Sequence, residues 1–129
     1  MFASLDFVYL PSRAVSDELA YLTHGLGGEL VFAIEAFGTR VAMVKLAPDS
    51  PPVLLAGHLE GDRPVLVYRV EDLEQTLEQL EARGVRVLTR FGIPHGPGAE
   101  IASPGPQRIA VYELTRPQAA ARLEGRRDF

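Results

Sequence analysis

One pattern of apolar residues occurs twice along the chain, and this internal repeat restricts the fold more than any other feature of the sequence. Two stripes of apolar residues at helical spacing are separated by 58 positions, the distance from Val15 to Leu73. The same offset relates Phe7 in the strand-like stretch "SLDFVYLP" to Val65 in "PVLVYRV". The sequence therefore predicts two copies of one supersecondary unit. The stripes are Val15, Leu19 and Leu22, which Leu26 would continue, and Leu73, Leu77 and Leu80.

Each copy has the predicted element order strand, helix, strand, strand, strand. The first helix ends at the glycine-rich stretch 25–28. The second can be capped by Glu71 or Asp72 and ends before Gly84. The Gly- and Pro-rich stretch "GIPHGPG", residues 92–98, is predicted to be a loop between two strands of the second copy.

The boundaries of the two modules follow from this order of elements. Module one is predicted at about residues 4–59 and module two at about residues 63–115. Residues 116–129 are predicted to form a short helix, with a proline in its first turn, and a charged tail. A chain of 129 residues has the size of one domain, so residues 1–129 are expected to fold as a single unit.

Charge and composition exclude several classes of function. The formal net charge is −4 and the basic residues are spread along the chain, so nucleic acid is not an expected partner. The chain has no cysteine, which excludes disulfides, thiolate catalysis and cysteine-bound zinc. No apolar run reaches the roughly 20 residues that span a bilayer, and the N-terminus lacks a signal-peptide pattern. We therefore expect a cytoplasmic protein that does not bind membranes.

Two βαβββ modules that end in "SPGPQRIAVYE", residues 103–113, resemble the vicinal oxygen chelate superfamily, which includes glyoxalases, extradiol dioxygenases and bleomycin-resistance proteins. The resemblance covers residues 4–115. It implies an α+β fold in which both modules form one cup-shaped, eight-stranded mixed sheet with helices on the outer face. It also implies a homodimer and, in the enzymes of the superfamily, a divalent metal ion held in the cup by His and Glu ligands.

The resemblance also indicates where those metal ligands would lie, and none of the four positions carries a donor atom here. They are Phe7, Leu54, Val65 and Ala110. A divalent ion needs several oxygen or nitrogen ligands at about 2 to 2.5 Å, which hydrocarbon side chains do not supply. The sequence therefore predicts that the metal site of the superfamily is lost and that no cofactor is bound.

Strand alternation places further side chains on the cup face, beside the lost metal positions. This face is predicted to be apolar and aromatic with a polar rim, which suits a flat or partly apolar organic molecule. The cup-facing residues are Leu5, Phe7 and Tyr9 on the first strand, Val65, Val67 and Arg69 on the strand that opens module two, and Arg108, Ala110 and Tyr112 on the last strand. The predicted ligand-binding residues are Phe7, Tyr9, Arg69, Arg108 and Tyr112 from these strands, and His95 from the loop.

Several of these residues also have a structural interpretation. Arg69 either anchors an anionic or carbonyl group in the cup or reaches the rim and pairs with a carboxylate such as Glu100. Tyr9 and Tyr112 either orient a ligand through their hydroxyls or are half-buried sheet aromatics. His95 is a candidate ligand or general base, because loops of this kind often carry binding residues.

Three functional hypotheses follow. The leading one is a small-molecule-binding protein that resembles glyoxalase and bleomycin-resistance proteins but lacks their metal. The second is a lyase, isomerase or dioxygenase of the same superfamily that recruits a divalent metal through His58, His95 and a nearby carboxylate. The third is a closed cup that acts only through an oligomeric interface, to which the tail "GRRDF" could contribute.

Overall fold

Both modules have the predicted order of elements. The structure is a computed structural model that describes residues 1–36 and 38–129. Module one consists of β1 (Ser4–Pro11), α1 (Val15–Ala20), β2 (Glu29–Ala36), β3 (Thr39–Lys45) and β4 (Val53–Ala56); module two consists of β5 (Val65–Val70), α2 (Leu73–Ala82), β6 (Val87–Ile93), β7 (Gly96–Ile101) and β8 (Arg108–Glu113); α3 (Pro117–Leu123) follows. The described strands form one eight-stranded mixed sheet in the order β2-β3-β4-β1-β5-β8-β7-β6. This is the α+β architecture that the sequence predicted.

The repeat is visible in the strand register as well as in the order of elements. β1 pairs in parallel with β4, and β5 pairs in parallel with β8. The modules join where β1 runs antiparallel to β5, and Val8 lies opposite Leu66 at this junction. These two residues are related by the same offset as the helical stripes, so an approximate twofold axis between the modules passes through this pair. Both modules of one chain thus build a single sheet.

The helices α1 and α2 cover one face of the sheet, as predicted. α1 packs on module one, and α2 packs on module two against Val70 and Val111. The Asp72 side chain accepts a hydrogen bond from the Gln75 amide and caps α2, which settles the predicted choice between two capping residues. The stripe residues of the helices that are buried against the sheet are Val15, Leu19, Leu22, Leu73, Leu77 and Leu80.

The end of the first helix departs from the predicted stripe. After α1 the chain continues as a π-helical turn over Tyr21–Gly25, and the Leu26 amide donates to the Tyr21 carbonyl, five residues back. A π turn contains more residues than an α turn, so Leu26 is rotated away from the face that buries Leu22. Leu26 is consequently exposed, and its predicted place in the apolar stripe is wrong.

The C-terminal residues complete module one. As predicted, a proline lies in the first turn of α3, and Leu123 of this helix packs against the core on the cup side. The following residues run along the edge of β2, where Gly125 donates to the Val31 carbonyl and Ala33 donates to the Arg126 carbonyl. The charged tail therefore covers an edge of its own sheet, which removes unpaired backbone groups from that edge.

The helices of this fold are short, and α2 spans only 10 residues. Among the described residues, none forms a helix long and apolar enough to cross a membrane.

Candidate functional site

The cup contains a cavity of about 350 Å³ in its module-two half. The central strands supply an apolar floor, and β6 supplies a wall. The linker between the modules, which is the chain between β4 and β5 (residues 57–64), borders the opening. A cavity of this size is within the range typical of small-molecule sites. The cup is therefore not filled completely on its module-two side. The floor is formed by Tyr9, Val65, Val67 and Ala110, and the polar side by His58, Glu60, Glu100 and Arg108.

The cavity lies in module two because equivalent positions of the two modules carry side chains of different size. In each module, three side chains lie side by side in a row across three strands. The strands are β4, β3 and β2 in module one and β8, β7 and β6 in module two. The module-one row is large and apolar and is buried in the core, whereas the module-two row is smaller and more polar and lines the cavity. The rows are Leu54, Met43 and Phe32 in module one, and Ala110, Glu100 and Thr89 in module two.

Arg108 and Glu100 form the charged part of the cavity. Nε and Nη2 of Arg108 donate to the two carboxylate oxygens of Glu100 at 3.1 and 3.0 Å. Nη1 donates to the backbone carbonyls of Glu60 and Arg63, in the linker between the modules, at 2.7 and 3.3 Å. All three guanidinium nitrogens are thus engaged by the protein. Arg108, a predicted ligand-binding residue, lines the cavity with its charge already compensated.

Tyr9 is the other predicted ligand-binding residue that lines the cavity, and it is only 8% exposed. Burial raises the pKa of its phenol, and no hydrogen bond from a described residue contributes to that shift. The hydroxyl therefore stays protonated at neutral pH. It is not sealed inside the protein, because it is absent from the fully buried, unpartnered polar atoms of the described residues. The cavity lining thus includes a tyrosine whose hydroxyl has no hydrogen-bond partner among the described residues.

The other four predicted ligand-binding residues do not line the cavity. They are Phe7, Arg69, His95 and Tyr112. Arg69 is partly exposed, and its Nε lies 3.7 Å from a carboxylate oxygen of Asp6 on the neighbouring strand. Arg69 thus pairs with a carboxylate, as its structural interpretation predicted, but the partner is Asp6 and not Glu100, because Arg108 engages both oxygens of Glu100.

Asp6 belongs to a polar cluster that the sequence did not predict. Its carboxylate accepts hydrogen bonds from the hydroxyls of Ser4 and Tyr112, in addition to its ion pair with Arg69. The pKa of the Tyr112 phenol is raised, mainly by burial and to a smaller extent by the hydrogen bond to Asp6. The signal for this cluster was the single acidic residue inside the otherwise apolar stretch "SLDFVYLP".

A β-bulge explains how Asp6 reaches Tyr112. The register between β1 and β5 shifts between Leu5 and Phe7, so Asp6 is the extra residue on β1. Strict alternation would place Asp6 on the helix side and Leu5 in the cup. Instead, Leu5 lies opposite Tyr68, which packs on the helix side, while Asp6 and Phe7 both meet Tyr112. The predicted cup-facing position of Leu5 is therefore wrong.

His95 lies in a tight turn, and the predicted loop at residues 92–98 is a β-hairpin. β6 and β7 continue on both sides of the two-residue turn Pro94–His95. The His95 carbonyl accepts hydrogen bonds from the amides of Thr115 and Arg116. The Arg116 side chain also donates to the Pro94 carbonyl at 2.9 Å. These bonds hold the turn against the chain that follows β8.

The imidazole of His95 is buried among aromatic side chains. Its ring centroid lies 4.8 Å from that of Phe7 and 6.3 Å from that of Tyr112. Nδ1 is buried and has no hydrogen-bond partner among the described residues. Burial lowers the pKa of the imidazole, although the charge of Asp6 opposes this shift, so the ring is neutral at pH 7. The tautomer with its proton on Nε2 avoids a buried N–H group without an acceptor.

Replacing His95 by phenylalanine is expected to make the protein less sensitive to acid. Because the pKa of His95 is lower in the folded state, the unfolded chain binds the proton more readily below its own pKa of about 6.5. The contribution of His95 to stability is therefore complete above that pH and is lost as the pH falls through the folded-state pKa. Urea unfolding at pH 7.5 and pH 5.0 should show a smaller loss of stability for His95→Phe than for wild type.

The matched control for this prediction is His24→Gln. The His24 side chain is exposed in the π-helical turn, so its replacement should leave the pH dependence of unfolding unchanged. An equal loss of stability in His95→Phe and wild type would show that burial of the imidazole does not contribute.

The side chains at the metal positions implied by the resemblance do not fit a metal ion. Val65 and Ala110 lie on the cavity floor, and Phe7 and Leu54 are packed in the adjoining core. Within residues 1–36 and 38–129, no group of three or more His, Asp or Glu side chains is arranged to hold a metal ion. These four hydrocarbon side chains do not provide the oxygen and nitrogen ligands that a divalent cation requires.

The alternative metal site was predicted around His58 and His95. His58 borders the cavity, and its Nδ1 lies 3.5 Å from the Thr39 hydroxyl, whereas His95 is not part of the cavity lining. The cavity therefore does not bring these two imidazoles together.

Comparisons with known proteins identify relatives of this fold. No protein-family model matches the sequence, and no curated protein matches it. Among solved structures, the hypothetical protein BH1468 from Bacillus halodurans C-125 is similar with a TM-score of 0.72 at 15% identity, over 85% of this chain and 93% of that one. Methylmalonyl-CoA epimerase from Mycobacterium tuberculosis is similar with a TM-score of 0.65 at 21% identity, over 93% of both chains.

A third solved structure carries the name of the superfamily. A glyoxalase/bleomycin resistance protein/dioxygenase superfamily member from Vibrio splendidus 12B01 is similar with a TM-score of 0.57 at 12% identity, over 83% of this chain and 95% of that one. These likenesses, together with the strand order, define the class of the fold as paired βαβββ modules around a cup. More particularly, the chain has the vicinal oxygen chelate fold, as the resemblance in sequence predicted.

Proposed function

We propose that the protein binds a small organic molecule in the module-two half of the cup and that it does so without a metal ion. One observation carries the proposal: a cavity of about 350 Å³ remains open in the module-two half of the cup, and Val65 and Ala110 occupy its floor where the superfamily resemblance implies metal ligands. The site therefore offers apolar surface in place of a coordinated cation. Apolar pockets with a few convergent polar groups are the usual form of small-molecule sites.

The character of the lining supports a partly aromatic ligand. Tyr9 and Phe91 contribute aromatic rings to the cavity, and Val67 and Ile93 contribute aliphatic surface. The polar groups, among them Arg108, lie together on one side. A flat molecule can bury its ring system against the apolar surface and keep polar substituents toward the charged side.

Filling the floor of the cavity is expected to block binding. Ala110 is only 1% exposed and lies on the floor, so Ala110→Leu adds three carbon atoms to the space that a ligand would occupy. We expect wild-type protein to bind prodan, a neutral fluorescent naphthalene ketone, and Ala110→Leu to bind it at least about tenfold more weakly. The blue shift of prodan fluorescence during titration measures the affinity.

Two controls separate this result from general damage and from metal dependence. Ala82→Leu makes the same substitution at an exposed position of α2 and should bind prodan like wild type. Dialysis of wild type against EDTA should leave the affinity unchanged, since no metal ligand is invoked. Unaltered binding by Ala110→Leu would refute the proposed location, and loss of binding after chelation would refute the metal-free site.

A further inference from the structure

Resting on the proposed binding function, we infer that the cavity selects molecules without negative charge that present a hydrogen-bond acceptor to the Tyr9 hydroxyl. Two independent features of the lining carry this inference. One is the pairing of the Arg108 guanidinium with protein groups, and the other is the Tyr9 hydroxyl, which has no hydrogen-bond partner among the described residues.

The charge balance of the lining disfavours anions. Arg108 is the only Lys or Arg side chain of the cavity lining within the described residues, and Glu60 and Glu100 also belong to that lining. Glu100 holds Nε and Nη2 of Arg108, and two linker carbonyls hold Nη1, so the guanidinium is not free to receive a second carboxylate. An anionic ligand would lose its hydration and find the Arg108 guanidinium already paired with the Glu100 carboxylate. An uncharged ligand does not incur this cost.

The position of Arg108 is set by the fold and does not depend on a ligand. Arg108 and Glu100 are each 20% exposed in their side chains, and they face each other from adjacent strands β8 and β7. Gly61 of the linker lies so close that a Cβ on it would come within 2.8 Å of Arg108 Nη1. The guanidinium is thus enclosed by protein groups on several sides, and its release would break all of these hydrogen bonds.

Tyr9 defines the polar group that the ligand must carry. Its side chain lines the cavity, burial raises the pKa of the phenol, and no hydrogen bond joins its hydroxyl to a described residue. A buried hydroxyl that lacks a partner gains most from a ligand atom that accepts its hydrogen bond. The neighbours of Tyr9 on the floor are the aliphatic Val65, Val67 and Ala110, which offer no competing side-chain acceptor. A carbonyl or ether oxygen on an apolar ring system meets both requirements.

A series of naphthalene probes that differ only in one substituent tests this inference by isothermal titration calorimetry at pH 7.5. The probes are naphthalene, 2-acetylnaphthalene, 2-naphthylmethylammonium and 2-naphthoate. We expect the ketone to bind most tightly, and 2-naphthoate to bind at least about tenfold more weakly than the ketone. Tyr9→Phe should weaken the ketone by about three- to tenfold and leave naphthalene itself unchanged, because only the ketone accepts the hydrogen bond. Tyr68→Phe, which removes a hydroxyl from the helix side of the sheet, should change neither affinity.

The outcomes distinguish this inference from the proposed function. Binding of 2-naphthoate as tightly as the ketone would overturn the charge selection and leave the cavity as a binding site. Equal weakening of ketone and naphthalene by Tyr9→Phe would overturn the role of the hydroxyl as a donor, since both probes would then respond to packing. If none of the four probes binds, the proposed function itself fails.

Discussion

Replacing Gly96 by alanine is expected to cost about 3 kcal/mol or more of folding stability and to disrupt the β6–β7 hairpin. Gly96 has a φ of +156°, and a Cβ at this position would lie 1.9 Å from the Glu113 carbonyl oxygen. That oxygen belongs to the backbone of the neighbouring strand β8, so it cannot turn away as a flexible side chain can. The melting temperature should fall by roughly 10 °C or more in thermal unfolding followed by circular dichroism.

Gly92 provides the matched control in the same hairpin. A Cβ on Gly92 would meet no atom within 4 Å, so Gly92→Ala should be neutral or slightly stabilising. A Gly96→Ala variant as stable as Gly92→Ala would show that the hairpin can move away from β8.

The internal repeat made the fold predictable from the sequence. An offset of 58 positions was enough to predict two βαβββ modules, and the structure places Val8 opposite Leu66 at the junction between them. The buried stripes of both helices were also predicted, because helical spacing determines which side chains face the sheet. The exception, Leu26, lies beyond a π-helical turn, and hydrophobic periodicity does not reveal where a helix changes its number of residues per turn.

The candidate site was predicted less completely, because its geometry depends on departures from regular strands. Alternation placed Tyr9 and Arg108 in the cup, and both line the cavity. The same rule missed Asp6, since a β-bulge adds one residue to β1 and turns this carboxylate toward Tyr112. Arg69 consequently pairs with Asp6 and lies outside the cavity. A bulge is a property of two paired strands, so one strand's sequence does not disclose it.

The location of the cavity was nevertheless present in the sequence. Once equivalent strands are matched, at offsets of 56 and 57 positions, the module-two row contains Ala110 and Thr89 where the module-one row contains Leu54 and Phe32. Comparing side-chain volumes at aligned positions would have indicated which half of the cup is filled. The linker contacts of Arg108 could not have been found in this way, because they involve backbone carbonyls whose positions depend on the whole chain.

Arg108 is the second residue whose loss should have a large effect. Its guanidinium joins three parts of the protein: β8, the Glu100 carboxylate on β7, and the linker carbonyls of Glu60 and Arg63. Arg108→Met keeps most of the apolar stem but removes these hydrogen bonds and leaves the Glu100 carboxylate, with only 20% of its side chain exposed, without a partner. Partly buried charges that lose their partner are costly, although the remaining contact with water reduces the penalty.

We therefore expect Arg108→Met to lower the free energy of unfolding by about 2 kcal/mol and to speed hydrogen exchange in the linker over residues 60–63. Arg90→Met is the matched control, because Arg90 forms an equally bidentate pair with Glu74 on the exposed surface, where side-chain exposures are 56% and 65%. Exposed ion pairs are screened by water, so Arg90→Met should cause no measurable loss of stability. Equal effects of the two variants in urea unfolding would mean that Arg108 acts as an ordinary surface charge and does not hold the linker against the cavity.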